Sequence, residues 1–256
     1  MTEYQDIRCS VTQGIAHVTV NRPDKLNAYR DQTADELRGA IERLEADSKV
    51  RALLLTGEGR AFGAGYDLST IELESSVDLD RVLEEHFNPL VRTMRRSRLP
   101  IVAAVNGPCA GAAVGIALAT DIVVAARSAY FLEPFAGLSL VPDAGNTLFL
   151  PRLLGHVRAM GMMLSGERIP AQTALDWGLL WDVVEDAELA GRAEQICYRL
   201  AGLDPAAVAA TKRLVAQTAD AGLDKQLDLE RDLQGEAGRA PGMKEQVAAF
   251  LSARKG

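Results

Sequence analysis

Apolar and polar positions along this chain follow two periods that take turns. In "IRCSVTQGIAHVTVNRP" two alternating runs flank Gln13-Gly14 and close at Pro23, the pattern of a hairpin. From Asp31 to Ala46 the period changes. Leu37, Ile41 and Leu44 recur at helical spacing, so "DQTADELRGAIERLEA" predicts an amphipathic helix. "VRALLLTG" is apolar on both faces, as in a strand covered on two sides. The exchange then continues. A helix over 78–97, carrying Leu79, Val82, Leu83, Leu90 and Met94, leads into "IVAAVNG". An Ala/Gly helix from about Gly111 leads into "DIVVAA", and a later helix leads into "WDVVED". Strands separated by helices predict an α/β fold with mostly parallel pairing. Beyond Leu200 only helical signals remain, in "AAVAATKRLVAQT" and "MKEQVAAFLSARK". The expected division is a core over 1–200 and a helical C-terminal subdomain over 201–256, serving oligomerisation and as a lid.

The most apolar stretch, "LPIVAAVNGPCAGAAVGIALATDIVVAA", is long enough to raise the question of a membrane span. Pro100, Asn106, Gly107, Pro108 and Asp121 interrupt it, so it is read as strand, loop, buried helix and strand. A net charge of −7 argues against a nucleic-acid binder, which would carry a basic face. "MTEYQDIRCS" has no basic start followed by an apolar run. Cys9, Cys109 and Cys197 are odd in number and far apart, and His17, His86 and His156 are scattered. Neither a disulfide framework nor a metal spacing results, and the expectation is a cytoplasmic, metal-free protein.

Two loops are candidates for chemistry. "TGEGRAFGAGYDL" follows a strand, but Gly57-x-Gly59 then Gly63 is one residue too long for a dinucleotide fingerprint. What Gly63, Ala64 and Gly65 do supply is backbone N–H groups that a ligand can approach closely. "NGPCAGAAVGIALATD" places a helix start near Gly111–Ala113, with unpaired N–H groups and a positive dipole end. Two such loops can pinch one carbonyl oxygen, as stabilising an oxyanion requires. They can equally be close-packed turns, and the residues alone leave that open. Cys109 reads as packing, since no His lies near it in sequence. Trp177 and Trp181 read as core, and "RRSR" (95–98) as a solvated helix end.

Those loops, together with "NRPDKLNA", "GRAFGAGYDL", "VPDAGNTLFLPRLLG" and "AFLSARK", resemble the crotonase, or enoyl-CoA hydratase/isomerase, family from about residue 7 to the C-terminus. The resemblance implies a spiral of ββα units, assembly as a homotrimer or dimer of trimers, an acyl-CoA thioester substrate, and no cofactor beyond the coenzyme A that the substrate carries. It implies an oxyanion hole from the amides of Tyr66 and Ala112. It also implies coenzyme A contacts from Lys25 and Ala28 in "DKLNA" and from Ala64, Asp67 and Leu68 in "GAGYDL", with Asp67 additionally a brace for its loop. A family lysine in the last helix is replaced by Ala253, with Arg254 beside it.

Hydratases of this family use two glutamates, whose places fall here on Gly115 and Phe135. Neither residue transfers protons. Asp143, in "LSLVPDAGNT", stands where hydratases usually have Gly. A carboxylate there resembles family members that shift double bonds or attack a ring. "FNPLVR", "AARSAYF", "LVPDAGNT" and "LDLERD" are similar to the ring-epoxide phenylacetyl-CoA isomerases. The expected activity is therefore acyl-CoA isomerisation through a thioester enolate, with Asp143 as acid/base, its pKa raised by burial beside Val141, Pro142 and Phe135. The alternatives are a hydratase with a non-standard acid such as Glu133, otherwise a solvated or salt-bridged side chain; a dehalogenase-like enzyme with Asp143 as nucleophile; and a non-catalytic CoA-binding protein.

Overall fold

A computed structural model describes residues 4–70, 78–218 and 221–253. The chain forms two compact units, Met1–Ala201 and Gly202–Gly256.

The first unit opens with β1 (Ile7–Thr12) and β2 (Ile15–Val20), paired antiparallel across Gln13 and Gly14. Both turn residues have positive φ, 51° and 79°. Helix α1 (Asp31–Ala46) buries Leu37, Ala40, Ile41 and Leu44 along one stripe. Its first turn is tied by Thr33 Oγ1, which accepts from the Arg30 amide at 3.2 Å. Next come β3 (Ala52–Gly57), then α2 (Leu79–Val82), a π turn over Leu83–Phe87 and α3 (Asn88–Arg96).

Beyond this the chain repeats a simple unit. β4 (Ile101–Val105) and β5 (Pro108–Ala110) lead to α4 (Ala112–Leu118); β6 (Ile122–Ala126) and β7 (Tyr130–Leu132) lead to α5 (Asn146–Leu154) and α6 (His156–Ser165). The short β8 (Ile169–Pro170), α7 (Ala171–Asp176), β9 (Asp182–Val184) and α8 (Leu189–Ala201) complete the unit. The first strand of each repeat joins a six-stranded sheet of order β1-β2-β3-β4-β6-β9. The second joins a three-stranded sheet, β5-β7-β8. From β2 onward every pairing in the large sheet is parallel. This is the ββα spiral, and its winding is what stacks equivalent loops beside one another. β3 carries only a trace of a second strand: Gly63 forms a single parallel bridge with Cys109 on β5.

The core between the sheets and α8 is built from residues such as Leu53, Ile101, Val124 and Phe131, all buried. Trp177 is partly buried, with the Arg158 guanidinium 5.4 Å above its ring, while Trp181 is 65% exposed. The expectation of a core Trp181 is thus corrected. Its amide donates to the Val123 carbonyl at the sheet edge and its indole lies outside.

The second unit contains α9 (Pro205–Gln217), α10 (Leu223–Arg239) and α11 (Gly242–Ala253). Asp204 caps α9, accepting from the Ala207 amide at 2.9 Å. Among its described residues Leu233 is the one buried hydrophobic, and Val215, Leu223 and Leu227 are exposed. The helix-end position Arg254 lies outside the described residues. Among the described residues no helix is long and apolar enough to cross a membrane.

Candidate active site

Two glycines bring the candidate loops together. Gly65 has φ +86° and Gly111 has φ +56°, and a Cβ built on either would lie 3.7 Å from the Cα of the other. Glycine is favoured at both places by the positive φ, and at Gly65 also because a Cβ would stand 3.1 Å from the Ala110 carbonyl oxygen. The loops occupy equivalent places in successive turns of the spiral. The bridge pairs Gly63 with Cys109, and three residues further on stand Tyr66 and Ala112.

The orientation of the Tyr66 amide follows from its neighbours. The Tyr29 amide donates to the Gly65 carbonyl at 2.7 Å, and the Asp67 amide donates to the Tyr29 carbonyl at 2.7 Å. In such a parallel bridge the intervening residue points its own N–H to the opposite side. Ala112 is the first residue of α4, where an N–H has no intrahelical acceptor. Among the described residues neither amide meets a backbone acceptor. Both residues line one cavity of about 220 Å³.

The Tyr66 side chain is held from outside. Its hydroxyl donates to Asp31 Oδ1 at 3.1 Å, and its ring meets Phe87 edge-on at 5.7 Å. Below it, Asp67 is buried and ion-paired to Arg22 at 2.7 Å. Ser69 adds bonds from its amide and hydroxyl to Asp67 Oδ1. Burial alone would raise the Asp67 pKa, but the bonds from Ser69 and Arg22 outweigh it and hold the carboxyl below its ordinary value.

Asp143 reaches the cavity from the other side. It follows an exposed turn, and Ala144 and Gly145 after it both have positive φ, 50° and 87°. That pair turns the chain sharply into α5. The buried Asn146 fixes the turn: its amide donates to the Asp143 carbonyl at 2.9 Å, and its Nδ2 to the Gly111 carbonyl at 3.1 Å. The loop bearing the carboxylate is thereby tied to the loop bearing the Ala112 amide. Burial pushes the Asp143 carboxyl up to about 6, against an opposing backbone hydrogen bond. The remaining walls are apolar, with Leu79, Val82, Leu83 and Phe87 on one side and Phe135 and Leu138 on the other.

The cavity thus brings together Tyr66, Ala112, Asp143, Ala64 and Leu68. Lys25, Ala28 and Asp67 are not part of its lining. Lys25 is exposed on a 3-10 turn over Pro23–Lys25. The Ala28 carbonyl accepts from Arg22, and both the carboxylate and the amide of Asp67 are engaged within the protein. The Asp67 side chain thus braces its loop, as the alternative reading of this residue expects. Val141 lines the cavity mouth but is 80% exposed, so the apolar surroundings of Asp143 come from the other wall residues. In "RRSR", Arg95 stacks on Phe149 and Arg98 bonds Glu45.

Three residues add structural weight at the site, and of these the sequence singles out Glu133 alone, as a non-standard acid or else a solvated or salt-bridged side chain. Buried Asn27 accepts from the Arg22 amide and donates to the carbonyls of Glu58 and Ala61, pinning the "DKLNA" turn to the first loop. Asn146 is the second. Glu133 is the third: it is neither solvated nor salt-bridged, but wholly buried, with no partner for either oxygen. Its one sequence signal is isolation, a single Glu among Phe131, Leu132, Pro134 and Phe135.

At Gly115, where a hydratase glutamate would fall, a Cβ would stand 2.8 Å from the Ala144 Cβ and 2.9 Å from its carbonyl carbon. The Asp143 turn occupies the space that a side chain on α4 would need. Phe135 fills the second place with a ring.

Comparison with known proteins agrees with this architecture. Residues 10–256 match the family model described as enoyl-CoA hydratase/isomerase. The chain is 42% identical to the 1,2-epoxyphenylacetyl-CoA isomerase of Escherichia coli K12 over 247 residues, 95% of this chain and 94% of that one. It is 41% identical to a probable enoyl-CoA hydratase of Rhodobacter capsulatus over 251 residues, 98% and 96% of the two chains. The crystal structure of a putative enoyl-CoA hydratase from Streptomyces coelicolor A3(2) superposes with a TM-score of 0.92 at 33% identity, covering 99% and 94%. With a family match over nearly its whole length and the ββα spiral of its fold, the chain belongs to the enoyl-CoA hydratase/isomerase family.

Proposed function

We propose that this protein is an acyl-CoA isomerase that moves a double bond or rearranges an unsaturated or aryl-derived acyl group. The thioester carbonyl accepts from the Tyr66 and Ala112 amides. Charge that develops on its oxygen as the neighbouring carbon loses a proton is met by donors already in place. Asp143 takes that proton and returns it at another carbon, so the bond order shifts and no water is added. A carboxyl pushed up to about 6 is ionised at neutral pH yet basic enough to accept a proton, which suits such a group. The leucines, valine and phenylalanines of the walls fit an apolar or ring-bearing acyl group.

The observation that carries this reading is the exclusion at Gly115. With Ala144 packed against it, the position has no room for a hydratase acid, and among the described residues Asp143 is the one carboxylate in the lining of the cavity. Hydration requires a second acid there. The same geometry weighs against hydratase activity, although a relative bears that name.

The direct test measures Asp143→Asn against straight-chain enoyl-, dienoyl- and phenylacetyl-derived CoA esters, scoring double-bond movement and water addition separately. Isomerisation is expected to fall by about 10²- to 10⁴-fold with acyl-CoA binding retained. Wild-type turnover should rise as pH increases through about 6, because the ionised form of Asp143 is the base. Near wild-type isomerisation in the variant would remove Asp143 from the mechanism.

A further inference from the structure

Behind the cavity wall lies a carboxyl that the proposed reaction does not use. β5 pairs with β7 so that Cys109 faces Phe131 and Ala110 faces Leu132. Continued by one residue, that register makes Glu133 the counterpart of Gly111, whose amide donates to the Leu132 carbonyl at 2.8 Å. Glu133 is fully buried, and neither Oε1 nor Oε2 has a hydrogen-bond partner. Asp143 Oδ1 is buried and without a partner as well.

Buried polar atoms in folded proteins almost always pair. Two carboxylates cannot satisfy each other, but a carboxylic acid can donate to a carboxylate. Burial first, and then the charge of Asp143, push Glu133 up to about 9. Near neutrality it is therefore the protonated member of the pair while Asp143 is ionised. The other titratable groups around it do not alter that assignment. Cys109 on β5 is raised well above its ordinary value by burial and then by Glu133, and Tyr29 beyond it is raised by burial and then by Cys109. On the β8 side Glu167 and Arg168 are exposed, with Arg168 stacked on Tyr130. On α7, Asp176 is exposed and bonded to Gln172. Among the described residues no cation pairs with Glu133.

We propose that Glu133 is a positioning residue for Asp143: as a neutral acid it donates to Asp143 Oδ1 in the substrate complex, keeping the carboxylate ionised and its other oxygen turned to the acyl group. The inference rests on the reading of Asp143 as the acid/base group. Hydrogen bonds of this kind are commonly long in the unliganded enzyme and tighten once substrate is bound.

The test is the pH profile of kcat, which reports the enzyme–substrate complex. Glu133→Leu removes the donor, and its acid limb should move up by about one to two pH units, the worth of one charge-assisted hydrogen bond. Glu133→Gln can still donate through its amide. Its acid limb should stay in place, while the alkaline fall expected near 9 in the wild type disappears, since Gln does not ionise. Identical profiles in all three proteins, or equal losses in both variants with unshifted limbs, would overturn the role. Infrared difference spectra give a second reading on the wild type itself: a protonated-carboxyl band present near neutrality and lost above about pH 10. Absence of that band near neutrality overturns the proposal without any variant having to fold. If Asp143→Asn retains turnover, the base assignment fails instead. If it loses turnover while the Glu133 profiles do not move, only the positioning role fails.

Discussion

Gly115 on α4 and Ala144 in the Asp143 turn are packed backbone to backbone, so that a single added carbon at 115 would collide with Ala144. Grafting the glutamate of a hydratase by Gly115→Glu is therefore expected to displace the Asp143 turn. Isomerisation falls and no hydratase appears, as assays of water addition and double-bond movement on the same acyl-CoA will show. Overpacking of this kind costs about 1–3 kcal/mol, visible as a lowered Tm.

Gly65 permits the close approach of the two amide-bearing loops. In Gly65→Ala the new methyl would stand 3.1 Å from the Ala110 carbonyl oxygen, at a φ of +86° that Ala rarely adopts. The expected outcome is a kcat lower by about 10²- to 10³-fold, the usual cost of one misplaced oxyanion donor. Single-turnover kinetics with equilibrium binding will separate that loss from weakened affinity.

Asp67 and Arg22 form an ion pair that is nearly out of solvent, with side-chain exposures of 6% and 13%. Asp67→Asn leaves Arg22 with Asp6, 3.7 Å away, as its remaining ion-pair partner and loosens the loop that carries Tyr66. A stability loss of about 1.5–3 kcal/mol in denaturant melts, the worth of one charge-assisted bond, is expected, with reduced turnover. The same pair gives an acid-side signature. Because the folded pKa of Asp67 lies below its ordinary 3.8, its contribution is present at neutral pH and is lost as pH falls through the folded value.

Glu133 has the opposite sign. Its pKa rises from an ordinary 4.5 to about 9 on folding, so the native state binds the extra proton between those values. Its contribution to stability is complete below about 4.5 and is lost progressively as pH rises toward 9. At neutral pH the deficit amounts to a few kcal/mol, at no more than about 1.4 kcal/mol per pH unit. Glu133→Gln should flatten this slope in chemical denaturation measured from pH 5 to pH 9; an unchanged slope would show that Glu133 ionises in the folded protein as it does in water.

Much of the architecture could be read from periodicity. α1 carries its apolar stripe, Leu37, Ile41 and Leu44, at helical spacing, and the buried strands β3, β4 and β6 are apolar runs. The second strands of the repeats were illegible. β5 and β7 have three residues each, and the Gly63–Cys109 bridge has one from each side, too few to show an alternation. Asp143 stood out chiefly through the residues at 115 and 135, which cannot carry protons. Glu133 is legible as a candidate acid, but its burial is not, because an isolated Glu is normally a solvated one and only its place after β7 turns it inward. Trp181 erred the other way: a large aromatic at a sheet edge can be anchored by its backbone alone.

The short ladder between the loops has a consequence. The Gly63–Cys109 bridge, with a Cβ built on Gly65 only 3.7 Å from the Gly111 Cα, holds the segments that bear Tyr66 and Ala112 side by side. On the proposed reading, the hold on a thioester carbonyl comes from main-chain donors rather than from any side chain, so the residues lining the cavity are free to change with the acyl group while that hold stays the same.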